Sequence, residues 1–503
     1  MLRNSKIEKQ SMKNKLYFLL LLLVASNVQA QTEDFSTFRE RMMNDYQGFR
    51  KDIMGRYVEF LDAAWTEYET MSGRRRVAKP KPMVAPVYTP PNVPVVEEEE
   101  EPIVIEPEEE MVSDSPTTPE LPKAPVTPSA PQTPKVPVVP SPEIPQIQFT
   151  LYGLQLTVPA PKVEPALGYV TQQEVVRFWK KIHESDNRAC VEIMKQYAEN
   201  YRLGDWCTFK AIEVYCEAWA KGNTAACRVM MQYLMLSLGY DVRMAIAGDK
   251  VYLMLPFEQL VYENTYLTVN NNRYYIYPKN VPDESRMYSC DVPADVDCGR
   301  EMNLIINPAY RLPKKNQPFA LSYGGLSIQG VVNKNVIDLQ QQYPSMDIYC
   351  YAASTADAEV KRMVVKQLKE QLAGLGEADA ANVMLHFVQK AFEYKTDEQQ
   401  FGDGVEKSFF FDETLYFPYC DCEDRSIFYA YLIHEVLGLD VLLVGYPGHE
   451  CTAVALSVAP QSAVGFTYRG KTYYICDPTY IGANIGVCMP DYVNVRPEIE
   501  EWY

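Results

Sequence analysis

The sequence predicts an α+β protein: two tandem modules, each with a helical part followed by an antiparallel sheet, preceded by a long helix and a linker rich in proline and glutamate. Three observations predict this organisation. Apolar residues recur with helical spacing near the N-terminus, 19 of the 36 prolines lie between Pro80 and Pro145, and a helix-and-strand passage occurs twice in the remainder. The predicted segments are a signal peptide (1–30), a helix (31–72), a linker (73–147) and two modules (148–300 and 301–503).

Composition and charge limit the classes of function. The chain has 503 residues, enough for two to four domains at roughly 100–200 residues each. The hydrophobic fraction is 47%, and the formal net charge is −18 at pH 7. Nucleic-acid binding is not expected, because proteins of that class use a basic face to neutralise phosphates.

The N-terminus resembles a secretory signal peptide. Lysines precede the apolar run Leu16–Val24, and Val28 and Ala30 are small residues at the −3 and −1 positions of a cleavage site before Gln31. The run is shorter than the about 20 residues that span a bilayer. We therefore expect no transmembrane span after cleavage, with an uncleaved anchor as the alternative, and an exported protein of a bacterial envelope, either periplasmic or extracellular.

An amphipathic helix is predicted from Asp34 to Met71. Apolar side chains recur there at steps of three and four residues, from Phe35 to Tyr68, which places them on one helical face. An apolar face of this length needs a partner. The partner is the rest of the chain, a second copy through self-association, or a helix of another protein bound through residues 34–71.

The linker, residues 73–147, is predicted to have no core of its own. Between Pro80 and Pro145 it carries 12 acidic residues against 3 lysines. Repeated prolines favour extended polyproline geometry and clustered carboxylates repel each other, so this stretch is expected to act as a semi-rigid, disordered spacer.

Two passages indicate an internal repeat. Residues 221–246 and 420–445 both predict a helix, then Leu-Gly, one further residue, Asp-Val and a short strand. The hairpin predicted at Leu267–Pro278 matches a second one at Phe466–Pro478. We therefore interpret 148–300 and 301–503 as two copies of one module.

Three residues of the second module form a candidate catalytic set. Cys422 opens a predicted helix, His449 opens a predicted strand, and Asp477 ends another strand. A thiol at a helix N-terminus lies at the positive end of the helix dipole, which favours the thiolate. An imidazole accepts its proton and returns it to a leaving group, and a carboxylate orients the imidazole.

Four segments around these residues resemble a known family: YCDCEDRS at 419–426, GLDV at 438–441, GH at 448–449 and YYICDPT at 473–479. They resemble the transglutaminase-like superfamily, whose catalytic core is similar to that of papain-like cysteine proteases. The resemblance covers about residues 385–490. It implies Cys422 as nucleophile, His449 as base and acid, and Asp477 as the group that orients the imidazole.

Other cysteines and the first module depart from that pattern. Cys420 and Cys451 lie close to the predicted site, and a disulfide from either one to Cys422 would block the thiol. In the first module the three corresponding positions fall on Asn223, on Asp249 or Lys250, and on Pro278. We therefore expect the first copy to be degenerate and non-catalytic.

No cofactor and no metal are expected. The chain has no Cys-x-x-Cys pair, so a structural zinc site is not predicted. The pattern GxxxxGK[ST] at Gly465–Thr472 is followed by strand residues instead of a helix, which indicates a hairpin turn and not a phosphate loop.

Cys290 and Cys298 bracket a short loop and are the first candidate pair for a disulfide after export.

The sequence thus predicts an exported cysteine enzyme that transfers acyl groups on protein or peptide substrates. A thioester on Cys422 would be resolved by water, as in a peptidase or amidase, or by an amine, as in a transglutaminase. The alternative is an envelope-associated binding or scaffold protein that retains Cys422, His449 and Asp477 without using them.

Overall fold

The computed structural model describes residues 65–68, 74–75, 87–88, 145–269, 271–279, 286–290, 299–402, 405–460 and 463–502. The predicted signal peptide (1–30), nearly all of the predicted helix (31–72) and most of the predicted linker (73–147) lie outside these residues. Cys298 also lies outside them, so its predicted disulfide with Cys290 is not described.

The described chain alternates groups of helices with antiparallel sheets. The helices are α1 (Gln172–Glu184), α2 (Arg188–Tyr201), α3 (Gly204–Ala220), α4 (Thr224–Ser237), α5 (Lys334–Gln340), α6 (Ile348–Ala353), α7 (Ala358–Gln371), α8 (Glu377–Ala391), α9 (Asp397–Phe401), α10 (Phe411–Tyr416) and α11 (Cys422–Leu432), which continues as a π-helical turn, Ile433–Leu437. The strands up to the middle of the chain are β1 (Trp65–Tyr68), β2 (Arg74–Arg75), β3 (Gln146–Leu151), β4 (Leu154–Pro159), β5 (Arg243–Ala247), β6 (Lys250–Pro256), β7 (Tyr266–Val269), β8 (Asn272–Tyr277) and β9 (Met287–Cys290). Those that follow are β10 (Asn316–Tyr323), β11 (Leu326–Asn333), β12 (Glu393–Tyr394), β13 (Tyr419–Cys420), β14 (Val441–Tyr446), β15 (His449–Ala455), β16 (Gly465–Tyr468), β17 (Lys471–Cys476) and β18 (Glu498–Glu500).

The first half of the described chain consists of a hairpin, four helices and a sheet. Strands β3 and β4 pair as the hairpin, and helices α1 to α4 follow. The sheet has seven strands in the order β1-β9-β5-β6-β8-β7-β2, all antiparallel to their neighbours. Helix α4 packs against β6, which joins the helices to one face of the sheet.

The second half has elements of the same kinds in the same order. Strands β10 and β11 form a hairpin, a series of helices ends in α11, and a five-stranded antiparallel sheet follows in the order β16-β17-β15-β14-β18. The short parallel pair β12–β13 lies just before α11. The predicted α+β class with antiparallel sheets is therefore confirmed.

One hydrophobic core extends through both halves. It contains residues from Phe149 in β3 to Ile485 beyond β17, and more than half of them lie in helices. The face of each large sheet that is turned away from this core has its own smaller cluster of buried side chains. Every residue of α11 is buried, including its charged residues, so this helix lies in the protein interior.

The prediction of a helix over residues 31–72 is wrong in the one part of that range that the structure describes. Trp65–Tyr68 is strand β1, which pairs with Met287–Cys290 at an edge of the seven-stranded sheet. Aromatic and β-branched residues favour such a pairing. Pairing with β9, more than 200 residues away in the sequence, determines the structure of this segment despite the helical spacing of its apolar residues.

The described parts of the predicted linker contact the folded region, so at these points it is not a plain spacer. Arg74–Arg75 pairs with Tyr266 and Leu267 at the other edge of the seven-stranded sheet. Tyr88 donates its backbone N–H to the Ile481 carbonyl at 3.1 Å. The first strand of the folded region, β3, begins just before the predicted boundary at 148.

Several local predictions are confirmed. The two predicted hairpins are present as β7–β8 and β16–β17. Gly470 lies in the turn of the second hairpin with φ +80°, so the GxxxxGK[ST] pattern at 465–472 forms a hairpin turn, as predicted. Gly438, with φ +69°, ends the helical segment that starts with α11. None of the helices in the described part of the chain combines the length and apolar character of a membrane span.

Candidate active site

Cys422 is the first residue of α11, as predicted. The chain enters the helix from β13 through Asp421, which is the N-cap residue, and Asp424 accepts the Asp421 backbone N–H at 3.4 Å. Ser426, one turn further on, donates its hydroxyl to the Glu450 carbonyl at 3.0 Å. This contact fixes the start of the helix beside the start of β15.

Arg425 anchors the same turn of the helix from the other side. Its guanidinium is buried and donates to the carbonyls of Phe392, at 3.0 Å, and Gln389, at 3.3 Å, at the end of α8. A buried arginine that meets carbonyl acceptors in this way avoids much of the cost of desolvating its charge. The position of Cys422 is therefore set by contacts to both β15 and α8.

His449 and Asp477 form the predicted pair. His449 opens β15 after a tight turn in which Gly448 has φ +72°, and it lies opposite Tyr446 in the β14–β15 ladder. Its Nε2 lies 2.8 Å from Oδ2 of Asp477, and both side chains are buried. Among the described residues His449 Nδ1 has no hydrogen-bond partner, so this nitrogen is available to accept and donate a proton.

The carboxylate of Asp477 is held in place by backbone donors. Its Oδ1 accepts the N–H groups of Thr479, at 2.9 Å, and Tyr480, at 3.0 Å. Since Oδ1 is held there, Oδ2 points at the imidazole. Asp477 therefore has the contacts expected of a residue that orients His449.

Tyr492 covers the imidazole on one face. Its ring stacks on that of His449 with centroids 5.6 Å apart and an interplanar angle of 5°, and its hydroxyl donates to the Pro447 carbonyl at 3.2 Å. Tyr446 also stacks on Tyr492, with ring centroids 4.7 Å apart. No pattern in the sequence pointed to this residue, since Tyr492 lies in an irregular segment beyond the last predicted strand.

Gln389 of α8 holds the loop that follows Asp477. Its side-chain amide donates to the carbonyls of Asp477, Tyr480 and Ala483, each at 3.0 Å, and its Oε1 accepts the Gly482 N–H at 2.9 Å. The side chain is buried. A single glutamine inside a helical pattern carried no sequence signal for this role.

We expect Gln389→Leu to destabilise the protein by about 3 kcal/mol, because buried carbonyl groups lose their donor and leucine cannot replace it. Urea unfolding would measure the change. Gln371→Leu is the matched control, because the Gln371 amide also bonds to backbone, at Ser327, but is exposed. Its cost is expected to stay within about 0.5 kcal/mol. Equal destabilisation by the two variants would contradict the role of Gln389.

The thiol of Cys422 makes a bond that the sequence did not predict. Sγ donates to Oε2 of Glu423 at 2.9 Å. Burial, and then the charges of Glu423 and Asp421, raise the pKa of the Cys422 thiol well above its ordinary value, while the Glu450 backbone N–H opposes this. The expectation that the helix dipole would leave a stabilised thiolate is wrong for this state, because burial and then the nearby carboxylates favour the neutral thiol.

Glu423→Gln is therefore expected to lower the pKa of the Cys422 thiol, because it removes a negative charge and the thiol's acceptor. Alkylation of Cys422 by iodoacetamide at pH 8 should become about tenfold faster, as followed by mass spectrometry. Glu377→Gln, at the half-buried first residue of α8 and outside the cavity wall, is the control and should leave the rate unchanged. A rate for Glu423→Gln equal to that of the wild type would contradict the assignment.

The neighbouring cysteines do not block Cys422. Cys420, Cys422 and Cys451 are all free thiols and all buried. Cys420 Sγ accepts a hydrogen bond from Arg425 Nε at 3.4 Å, on the side of the helix that faces α8. The anticipated disulfides to Cys422 are therefore not formed.

Three buried carboxylates lie behind the N-terminus of α11. Asp397, Asp421 and Asp424 place one oxygen each within 4.8 Å of the others. Asp424 accepts the Phe409 N–H at 2.7 Å and Asp397 accepts the Lys407 N–H at 2.5 Å, so these groups organise the loop before the helix. These hydrogen bonds give Asp397 and Asp424 a structural role in the fold.

Cys422 and His449 line one cavity of about 420 Å³. Its walls come from the N-terminus of α11, the β14–β15 turn, strand β18 and the segment that leads into α6. The structure therefore brings the three predicted residues to one place, with Cys422 and His449 facing a common space and Asp477 behind the imidazole.

Comparisons with protein-family models, with curated proteins and with solved structures return no match to this chain.

Proposed function

We propose that this protein is an exported, cysteine-dependent enzyme that transfers acyl groups on peptide or amide substrates, with Cys422 as nucleophile. The observation that carries the proposal is the 2.8 Å contact between His449 Nε2 and Asp477 Oδ2, formed beside the cavity that contains Cys422. An imidazole oriented by a carboxylate, beside a thiol in the first turn of a helix, is the arrangement that nucleophilic catalysis by cysteine uses.

The reaction follows from the atoms of these groups. Cys422 Sγ attacks the carbonyl carbon of the substrate, and its proton passes to His449 Nδ1. The C–N bond breaks as the imidazolium returns that proton to the departing amine, which leaves a thioester on Cys422. Water then hydrolyses the thioester, or a second amine takes the acyl group. The backbone N–H groups in the first turn of α11 are positioned to stabilise the oxyanion.

The resting thiol is bonded to Glu423, so catalysis requires a rotation of the Cys422 side chain away from that carboxylate. A change of χ1 between staggered rotamers moves the sulfur without moving the helix. In this proposal the observed state is a closed resting state, and attack begins from the rotamer that faces His449.

The proposal extends to the family and to the repeat: a transglutaminase-like core in the second module and a degenerate copy in the first. Its support is the common order of hairpin, helices and antiparallel sheet in both halves. Asn223 caps α4 where Cys422 opens α11; its side chain accepts the Ala226 N–H and donates to the Pro165 and Leu167 carbonyls. These are structural bonds, as a non-catalytic copy would have.

A second candidate is a non-catalytic binding or scaffold protein of the envelope. The observation that favours it is the thiol itself, whose bond to Glu423 and raised pKa are unlike those of an activated nucleophile. Cys422 of an active enzyme should react with iodoacetamide below pH 8, whereas Cys422 of a non-catalytic protein should not.

Trapping of the acyl-enzyme tests the proposal directly. The full-length protein would be incubated with a 4-nitrophenyl ester of a short acyl chain, quenched in acid, digested and analysed by mass spectrometry. We expect a hydroxylamine-labile adduct on Cys422. Cys451, buried nearby, is the internal control and should stay unmodified. Absence of an adduct on Cys422, or equal labelling of both cysteines, would contradict the proposal.

A further inference from the structure

The cavity beside Cys422 has a strongly acidic lining. Five carboxylic acids from distant parts of the sequence face it, and His449 is the only basic residue that the described chain contributes to its wall. The acids are Asp347, Glu423, Glu450, Glu498 and Glu500. Negative charge concentrated in a recess with apolar walls attracts cations and raises their local concentration.

Three of these carboxylates have no cationic partner in the described part of the chain. Asp347 accepts the hydroxyl of Tyr262, and Glu500 Oε2 accepts the Tyr349 N–H at 3.3 Å, so both are bonded to neutral donors. No Lys or Arg of the described residues forms an ion pair with Asp347, Glu498 or Glu500. Arg273 partly offsets the charge of Asp347 from a distance, because it lowers the pKa of that carboxyl. None of the three carboxylates, however, is in contact with a cation of the described residues.

The titration of the same groups agrees with this arrangement. Burial, and then the charge of Asp347, raises the pKa of Glu500 to about 7. Burial also raises the pKa of Asp347, and Glu498 adds to that rise. A cation placed between these carboxylates would relieve their mutual repulsion, so the cavity gains free energy by binding one.

The spacing of the acids indicates an organic cation and not a metal ion. The three-donor group that is tight enough for a metal in the described residues is Asp397, Asp421 and Asp424, which lies outside the cavity. The cavity acids are spread along walls that also contain apolar side chains: Leu260, Met346, Ile348 and Tyr446. Such walls suit a methylene stem that ends in a charged group.

We propose that this cavity binds the basic side chain of a peptide substrate, so that the enzyme acts on amides next to a lysine or arginine residue. The inference rests on the proposed function and specifies its substrate class. Asp347, Glu498 and Glu500 hold the ammonium or guanidinium group, and the apolar wall packs along its stem. The substrate amide then lies over Cys422 and His449.

The same binding event accounts for the closed resting state. Glu423 lines the cavity and accepts the hydrogen bond of the thiol. A substrate cation that approaches the cavity acids offsets the negative charge around Cys422. This weakens the hydrogen bond from the Cys422 thiol to the Glu423 carboxylate. A basic substrate is thus both bound and able to release the nucleophile, while a neutral substrate reacts only through the smaller fraction of molecules in which the thiol has already turned away from Glu423.

The test compares two peptides that differ at one residue beside the reactive amide, lysine or its neutral analogue norleucine. Binding to the full-length Cys422→Ala protein would be measured by calorimetry at pH 8, and turnover with the wild type. We expect the lysine peptide to bind at least about tenfold more tightly, since a bond to a partly buried charge contributes about 1.5–3 kcal/mol. This preference should fall severalfold in Glu500→Gln, and further in the double variant Asp347→Asn/Glu500→Gln.

Glu370→Gln removes the same charge from the exposed side of α7 and should leave the preference unchanged. Equal binding of the two peptides, or a preference that survives in the double variant, would overturn this inference. If the norleucine peptide is still hydrolysed through Cys422, the proposed function stands while the inference fails. If Cys422 is not acylated by any ester or peptide, the proposed function itself fails, and the binding measurement alone decides whether the cavity recognises a basic side chain.

Discussion

Replacement of Cys422 by alanine is expected to reduce turnover of peptide and glutamine-amide substrates to background, a loss of about 10⁴-fold or more. The thioester cannot form without the sulfur, and no other group in the cavity can replace it as a nucleophile of comparable reactivity. The fold should persist, because Cys422 contributes one side-chain hydrogen bond, to Glu423, and little volume. kcat/KM would be measured for both substrate classes, with thermal unfolding recorded alongside.

Two other buried cysteines provide the controls for that substitution. Cys420 and Cys451 lie near the site, and neither lines its cavity. Cys451→Ala and Cys420→Ala remove a sulfur of equal size from a similarly buried position, and turnover should stay within about threefold of wild type. Turnover that persists in Cys422→Ala while it disappears in Cys451→Ala would show that the nucleophile has been misassigned.

Asp477→Asn is expected to lower kcat by about 10²- to 10⁴-fold. The amide oxygen can still accept the N–H groups of Thr479 and Tyr480, so the loop keeps its bonds. Its NH₂ group would then face His449 Nε2, which favours the imidazole tautomer that is protonated on Nδ1 and removes the charge that stabilises the imidazolium. Steady-state kinetics over pH 5–9 would measure the loss.

Asp412→Asn is the matched control for this aspartate. Asp412 is also buried, burial raises its pKa to about 7, and asparagine has the same shape and keeps one acceptor oxygen. It accepts the backbone N–H of Asp357, away from the cavity. We expect kcat within about threefold of wild type. Equal kinetic losses in the two variants would indicate a general loss of structure instead of a role for Asp477 in orienting His449.

The parts of the site that came from local sequence pattern were predicted well. Cys422 at a helix start and His449 at a strand start could be placed because helical and alternating patterns mark the ends of elements. The adjacent position of β15 and β17 followed from the order of the strands, so the meeting of His449 with Asp477 was within reach of sequence reasoning. The α+β class followed from the same patterns.

Features that depend on contacts between distant segments were not predicted. Asp347, Glu498 and Glu500 come from two segments about 150 residues apart, so no local pattern shows that they share a cavity with Cys422. The bond from the thiol to Glu423 depends on a rotamer, which sequence spacing does not determine. Strand β1 was mistaken for helix for the same reason, since its partner β9 is remote in sequence.

The central claim, that Cys422 and His449 act as one reactive unit, is tested most directly by the pH profile of Cys422 alkylation in the wild type and in His449→Ala. An imidazole that shares the thiol's proton and stabilises the thiolate makes the cysteine more reactive near neutral pH. We predict that loss of His449 slows alkylation at pH 7 and moves the midpoint of the profile to higher pH. Superimposable profiles from two folded proteins would contradict the claim, because the imidazole would then have no influence on the sulfur.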